Sequence, residues 1–472
     1  MVSVMWFRRD LRLEDNAALK QAIDESEELL LLFHVNPDQF LGEDSSNQAA
    51  FFKSVDTFRK EIENSGGVLQ ILYGDLEECF KRLKERVEDW TDVYVNRDEK
   101  GYGLQRDKVA GLVFKELGVK THAYYDHHIH PAHEIKTNTG SYYKVFTPYF
   151  NKWKELQKPN VIEVNFNAAK IRNDLLFKED AKQFESFLTN QLPLHELELG
   201  TKAATARLDH FVESFLNEYK EARDYPMKDA TSHLSKHLRL GEVSVRTVYN
   251  KVKSAEPSIG RDTFIQELAW RDFYNMIYAT HPEQKDQSIK EAFRQIEWDN
   301  NEENFDKWTK GLTGYPIVDA AMRQLNETGW MHNRLRMITA SFLTKDLLID
   351  WRWGERYFQE KLIDYDPASN IGGWQWAAST GTDGVPYFRI FNPTTQSEKF
   401  DKSGEFIRKF VPELKQLHGK KIHDPSKLTV EEQDAHGVII GQDYPAPIVS
   451  HKKSRELAIA AFEKSKKITE GD

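Results

Sequence analysis

One cysteine, Cys79, is all the thiol chemistry the 472 residues offer. A single thiol excludes an internal disulfide, a cysteine zinc site and an iron–sulfur cluster. Sixteen histidines are present, but none falls in a His-Glu-x-x-His or similar spacing, so no metal is expected. Long apolar runs are missing too. The longest, near Leu29–Phe33, is far too short to cross a bilayer. Charge arrives early, at Arg8, Arg9 and Asp10, which fits neither a signal peptide nor a transit peptide and makes the cytoplasm the expected location. An excess of positive charge is also lacking. A net charge of −10 and a pI near 5.9 argue against a protein that coats nucleic acid, but leave room for a local basic patch. Finally, there is no glycine fingerprint of nicotinamide enzymes and no P-loop, so any dinucleotide must be held in another way.

What is present points to two halves. At 55.0 kDa, 39% hydrophobic and 30% charged, the chain can bury a sizeable core. Over residues 1–130, short apolar runs at Val2–Phe7, Leu29–Val35, Val68–Tyr73, Asp92–Val95 and Val119–Tyr125 read as strands. Amphipathic stretches lie between them, such as Gln105–Leu117 with Val109, Leu112, Val113 and Leu117 at helical spacing. That alternation predicts a Rossmann-like α/β domain with a parallel sheet. Residues 131–200, with Pro131, Pro148, Pro159 and Pro193 and little periodicity, read as a linker packed on the surface of both halves. Residues 201–472 read as a larger all-α domain. At its start Leu208, Phe211, Val212, Phe215, Leu216 and Tyr219 form one predicted buried stripe.

Eight of the eleven tryptophans, from Trp270 to Trp376, fall within 107 residues. An aromatic core accounts for any one of them. Eight together favour a site that stacks flat rings, such as flavins or nucleobases.

Five segments carry candidate chemistry. In Phe264–Tyr274, helical spacing puts Glu267, Trp270, Arg271 and Tyr274 on one face. Such a segment is more often a surface Glu–Arg pair beside a core Trp. The alternative is a carboxyl for a base edge, an indole to stack on it and a guanidinium for phosphate. In Trp330–Thr339, Asn333, Arg336 and Met337 share a face with Arg334 about 100° away, and Asp364 and Asp366 are the expected partners of the two arginines. A structural salt bridge remains an equal reading of Arg336–Asp364. In Asn370–Gly384, Gly372-Gly373 would let backbone approach a ligand, with Trp374 and Trp376 pointing to different sides. Thr231–Ser235 gathers hydroxyls at a predicted helix start, which is either simple capping or a phosphate site. The basic run Lys399–Lys421 is a solvated face or a phosphate-tracking rim.

Together these segments resemble the photolyase/cryptochrome family. The resemblance rests on Met5–Asn16, Thr231–Ser235, Gly314–Met322, Trp330–Met337, Gly372–Thr382 and Pro386–Pro393, and runs from residue 2 to Tyr444–Val449. It is nearest to the class I cyclobutane-dimer photolyases. It implies an α/β antenna domain, a helical domain holding FAD bent into a U, and an enzyme that is a light-dependent carbon–carbon lyase. By motif position Tyr219, Thr231, Ser232, Leu234 and Ser235 would hold the FAD phosphates. Asn333, Arg336, Asp364, Asp366 and Asn370 would surround the isoalloxazine, with Asn370 facing flavin N5. Asn370, where plant-type cryptochromes carry Asp, favours repair over sensing.

The resemblance also implies the substrate side. Glu267, Trp270, Arg271, Asn333, Arg334, Met337, Trp376 and Arg389 would meet the lesion and its DNA, and Trp374, Trp351 and Trp298 would relay electrons to the flavin from the surface. His332-Asn333 stands where (6-4) photolyases show a His pair, which favours dimer repair. The implied reaction is electron transfer from excited reduced FAD (FADH−) to a flipped-out dimer, in single- or double-stranded UV-damaged DNA, by a monomer. Glu267, protonated in a buried pocket, would donate to a pyrimidine carbonyl. Two departures stand out. His233 replaces an Arg usual in the phosphate cluster. Gly103 stands where folate-binding members carry Glu, three residues before Arg106-Asp107, which leaves a second chromophore, folate or deazaflavin, open. A light-sensing cryptochrome is the competing reading. A light-independent adenine-nucleotide enzyme is a third, and it leaves the tryptophans unexplained.

Overall fold

The computed structural model describes residues 1–42, 44–189 and 197–471, so Pro193 lies outside the described residues. The chain forms two compact units. Met1–Asn217 and Ser232–Pro282 make the first, and Glu218–Thr231 and Glu283–Asp472 the second. The first unit therefore takes in the helix Ile259–Thr280, which the sequence reading assigns to the helical half.

Five parallel strands build the first unit: β1 (Val2–Phe7), β2 (Glu28–Val35), β3 (Leu69–Tyr73), β4 (Trp90–Asn96) and β5 (Lys120–Tyr124), in the order β3-β2-β1-β4-β5. Each expected strand is present within two residues of its predicted ends. The central strands read as unbroken apolar runs because both faces of the sheet are covered. Met5, Phe7, Leu29, Leu31 and Phe33 pack with Leu19, Val55 and Phe58 on one side. Val4, Trp6, Leu30, Leu32 and Val93 pack with Phe80, Leu83 and Phe114 on the other.

The helix expected over Gln105–Leu117 runs Gly101–Glu116, but it buries a different stripe. Ala110, Val113 and Phe114 are inside, while Val109 and Leu112 are half or more exposed. The bulky Phe114, wedged against Trp6, Phe80 and Trp90, sets the helix rotation. The stripe expected from Leu208 to Tyr219 is likewise broken. Its helix, Thr201–Ser214, ends early, and Tyr219 belongs to a separate turn, Tyr219–Ala222. Residues 131–200, expected as a surface linker, contribute two helices to the first unit, Phe146–Glu155 and Lys178–Ser186, and fully buried Tyr149, Trp153 and Phe184.

The motif Met5–Asn16 is spent on this architecture. Arg8 pairs with Asp107 at 3.0 Å, and Arg12 pairs with Asp126. Asp126 also takes Arg246 at 2.7 Å, which in turn reaches Asp15 at 2.8 Å. Burial works against charge on Asp126, but Arg12 and Arg246 overcome it and hold its carboxyl below the usual range.

The second unit is helical. Asp319, wholly buried in Gly314–Met322, accepts from Thr313 N and Oγ1, Gly314 N and the Tyr444 hydroxyl. One carboxylate thus ties two of the conspicuous motifs to each other, a structural use of both. No helix among the described residues is long and apolar enough to cross a membrane.

Candidate flavin and nucleic-acid site

In the first unit the helix Ile259–Thr280 starts on Ser258, whose hydroxyl accepts from Arg261 N. Its buried side is Phe264, Leu268, Ala269, Phe273 and Met276. Its half-buried stripe holds Glu267, Trp270, Arg271 and Tyr274, the four that helical spacing places together. Glu267 is half-buried rather than enclosed, so this unit alone does not supply the closed pocket expected around it. Arg271 is turned to protein, donating to the carbonyl of His127, which departs from its expected use on phosphate alone. Beside it lies Asp272, which the sequence reading passes over. Its carboxylate accepts from Ile129 N (3.2 Å), His130 N (3.1 Å) and Trp153 Nε1 (2.9 Å). Burial pushes its pKa up to about 7 against those donors.

The phosphate cluster forms a tight turn ahead of a six-residue helix, Ser235–Leu240, which begins one residue after Leu234. Within the first unit the Ser232 hydroxyl accepts from Leu234 N and its carbonyl accepts from Arg207 Nε at 3.0 Å. His233 takes a left-handed φ of 50°. In the second unit Tyr219 is buried, with Arg223 over its ring.

The second unit carries the remaining residues. Helix Asn333–Ser341 opens on His332, whose Nδ1 accepts from Arg334 N. Arg336 donates to Asp364 at 2.8 Å and to the Met331 carbonyl, as one of the two expected pairs. The other expected pairing is replaced. Arg334 finds Asp224 at 2.7 Å and lies over Phe400, while Asp366 caps helix Pro367–Ala377 through Ser369 N. Asp224 is 110 residues away in sequence and carries no local signal. Asn333 is exposed, 3.9 Å from the Met337 sulfur.

Asn370 gives its amide N–H to Glu355 Oε1 at 3.1 Å. Glu355 also accepts from Tyr365 and was not singled out in the sequence. Burial pushes its carboxyl up. Trp374 and Trp351 are buried and Trp298 is half-buried against Phe462. Trp374 packs on Phe358 and Trp308. Trp376, two residues on, is half-buried. Gly372 and Gly373 lie inside the helix, and a Cβ on Gly373 would meet nothing within 4 Å. Arg389 is exposed, as are Lys399, Lys402, Lys409, Lys415 and Lys420. Arg408 instead bonds the carbonyls of Ser403 and Leu417, and Lys421 pairs with Glu432.

One carboxylate oxygen tests the fit of a flavin directly. Asp364 has a nearly inaccessible side chain, yet its Oδ1 has no hydrogen-bond partner among the described residues, while Oδ2 is held by Arg336. Leaving a buried acceptor unmet costs about 1–3 kcal/mol. A ring edge bearing an N–H, as flavin has, meets that need.

Residues 3–165 match the family model described as DNA photolyase, and residues 264–464 match the FAD binding domain of DNA photolyase. The chain belongs to the DNA photolyase family. This photolyase chain is 42% identical, over 98% of both chains, to a deoxyribodipyrimidine photo-lyase of Alkalihalophilus pseudofirmus. Among solved structures, it is similar to a bacterial class III photolyase from Agrobacterium tumefaciens, with a TM-score of 0.89 and 34% identity over 98% of both chains. It is also similar to an archaeal photolyase from Sulfolobus tokodaii with two FAD molecules, with a TM-score of 0.83 and 32% identity over 98% of this chain and 100% of that one. The FAD-binding helical architecture after a five-stranded parallel domain is thus the family's own, and the chain is a DNA repair flavoprotein fold throughout.

The α/β unit of the photolyase chain also explains Gly103. A Cβ there would lie 2.4 Å from Asp98 Oδ2, and Asp98 is itself held by Arg9 and Arg106. A Glu at 103 has no room unless that ion cluster moves.

Proposed function

We propose that this chain repairs cyclobutane pyrimidine dimers in UV-damaged DNA, driven by light and dependent on reduced FAD. The observation that carries this reading is the match over 98% of both chains to an enzyme named deoxyribodipyrimidine photo-lyase. When bound, FAD supplies the electron that opens the cyclobutane ring on illumination and takes it back afterwards.

The residues of the chain bind, orient and exclude water. Arg336 and Asp364 hold the flavin ring edge through a charge-assisted pair, and Asp364 Oδ1 accepts from it. Asn370, held by Glu355 through its amide N–H, would meet the flavin ring. By the resemblance of their motifs, Ser232, Leu234 and Ser235 of the first unit, and Tyr219, Thr231 and Asp366 of the second, would hold the phosphates and linker. Trp374, Trp351 and Trp298 run from buried to half-buried, the order a relay to the surface requires.

On the DNA side, Arg389 and the exposed lysines of 399–420 track phosphate, with Arg271 as a further contact. The dimer is poorly stacked, so flipping it out costs less than flipping a normal base, as photolyases generally do. The family resemblance assigns Glu267 and Trp270 of the first unit, and Asn333, Arg334, Met337 and Trp376 of the second, to the dimer: the indoles would stack on it, Glu267 and Asn333 would bond its polar edge, and Arg334 and Met337 would line it. The functional division into a 1–130 antenna half, a 131–200 connection and a 201–472 catalytic half belongs to the same proposal, as does a cytoplasmic monomer. The packing around Gly103 speaks against a folate-type antenna contact there.

Anaerobic illumination of the reduced holoprotein with a thymine-dimer oligonucleotide tests the reading. Thymine ultraviolet absorbance returns in light and not in the dark. No return, with FAD bound and reduced, would move the chain to a sensory relative or to another lesion.

A further inference from the structure

Behind Trp270 stands a column of parallel rings. The Phe146 ring lies 3.6 Å from the Trp270 ring, centroid to centroid, with 8° between their planes. Phe150, one turn on in the same helix, is parallel to Phe146 in turn, at 5.6 Å and 10°. Phe273 closes the edge of the stack, T-shaped to both Phe146 (5.7 Å, 79°) and Trp270 (5.6 Å, 85°). Phe146 is 3% exposed, while Trp270 is half-buried. One face of the indole is therefore taken by Phe146, Tyr274 packs on the indole at 5.5 Å with a 30° tilt, and a further parallel ring can add only on the face away from Phe146.

The helix that carries Phe146 is fixed to the helix that carries Trp270 by Trp153, two turns beyond Phe146. Trp153 donates its indole N–H to Asp272 at 2.9 Å, and Asp272 also holds Ile129 N and His130 N. Tyr149 packs on Phe273 between these points. A tryptophan on one helix alone keeps its χ1 and χ2 freedom. A Trp clamped flat against a buried ring keeps one plane, so stacking a base on it costs little further ordering.

We propose that Phe146 is a positioning residue for substrate: it fixes the plane of Trp270, so that a flipped pyrimidine adds as the next ring of the column Phe150–Phe146–Trp270. The proposal rests on the repair reading above, and names a residue that acts through Trp270 without touching DNA. Phe146 belongs to the stretch that the sequence presents as a linker, and no motif marks it.

The test compares wild type, Phe146→Leu and Phe146→Tyr as holoproteins. Each is titrated with a dimer-bearing oligonucleotide and its undamaged twin, and repair per absorbed photon is followed against DNA concentration. Phe146→Leu fills similar volume without a flat ring. It weakens dimer binding about tenfold, the scale of one base–aromatic stack, with undamaged DNA and repair yield at saturation unchanged. Phe146→Tyr, which keeps the ring, restores wild-type binding. A purely structural role for Phe146 would instead lower melting temperature and flavin content together, and leave lesion preference intact. Wild-type preference for the dimer in Phe146→Leu overturns the proposal. If that variant fails to hold FAD, Phe150→Leu decides: about threefold weaker dimer binding supports the column, and unchanged binding overturns it. A wild type that neither prefers nor repairs the dimer overturns the repair reading itself, and the column's role with it.

Discussion

The indole of Trp374 rests directly on the backbone of Gly354: a Cβ at 354 would lie 2.1 Å from Trp374 Cη2. Gly354 belongs to helix Trp351–Lys361 and Trp374 to helix Pro367–Ala377, so the missing side chain sets how closely the two helices approach.

Gly354→Ala therefore pushes Trp374 out of its place between Phe358 and Trp308. The overpacking costs about 1–3 kcal/mol. If Trp374 is the first relay to the flavin, flash photolysis shows slower light-driven flavin reduction in the variant. Repair from chemically reduced flavin changes much less. An unchanged photoreduction rate would remove Trp374 from the relay.

In the proposed repair reaction Glu267 donates to a pyrimidine carbonyl. Glu267→Gln keeps a donor and loses little repair yield, whereas Glu267→Ala loses about tenfold, the value of one charge-assisted hydrogen bond. The reverse order in yield per photon would sink the role.

Asp272 couples pH to stability in a direction opposite to a salt-bridged carboxylate. Its folded pKa, raised by burial to about 7, exceeds its ordinary value, so the folded state holds a proton that the unfolded state has released. This contribution is full below about pH 4, declines as pH rises to about 7, and is flat above. Asp272→Asn abolishes the titration. Denaturant unfolding then shows wild type gaining about 2.6 kcal/mol relative to the variant from pH 8 to pH 5. A constant gap would place the Asp272 carboxyl in the ordinary range.

Gly103→Glu tests the antenna departure. The Asp98 carboxylate fills that space, and moving it breaks its pairs with Arg9 and Arg106. Breaking a buried pair costs about 3–5 kcal/mol. The variant melts at lower temperature, and binds folate no better than wild type in equilibrium dialysis. Gain of folate binding at wild-type stability would show that the ion cluster can yield.

The strands were legible because a two-faced sheet writes itself as short, wholly apolar runs, as in Leu29–Val35 against the observed Glu28–Val35. So was the half-buried stripe of the helix Ile259–Thr280, since helical spacing alone puts Glu267, Trp270, Arg271 and Tyr274 on one face. The Arg336–Asp364 pair was within reach because both residues stand out as charges in apolar surroundings.

Local sequence decided those features because periodicity and charge are local properties. Tertiary structure alone decided the rest. Which stripe of Gly101–Glu116 turns inward follows from Phe114 meeting Trp6, Phe80 and Trp90, rings from three other segments. The partner of Arg334 is Asp224, and the support of Trp270 is Phe146, each more than 100 residues distant. No spacing rule reaches that far, since such contacts exist only after the chain has closed the loops between them.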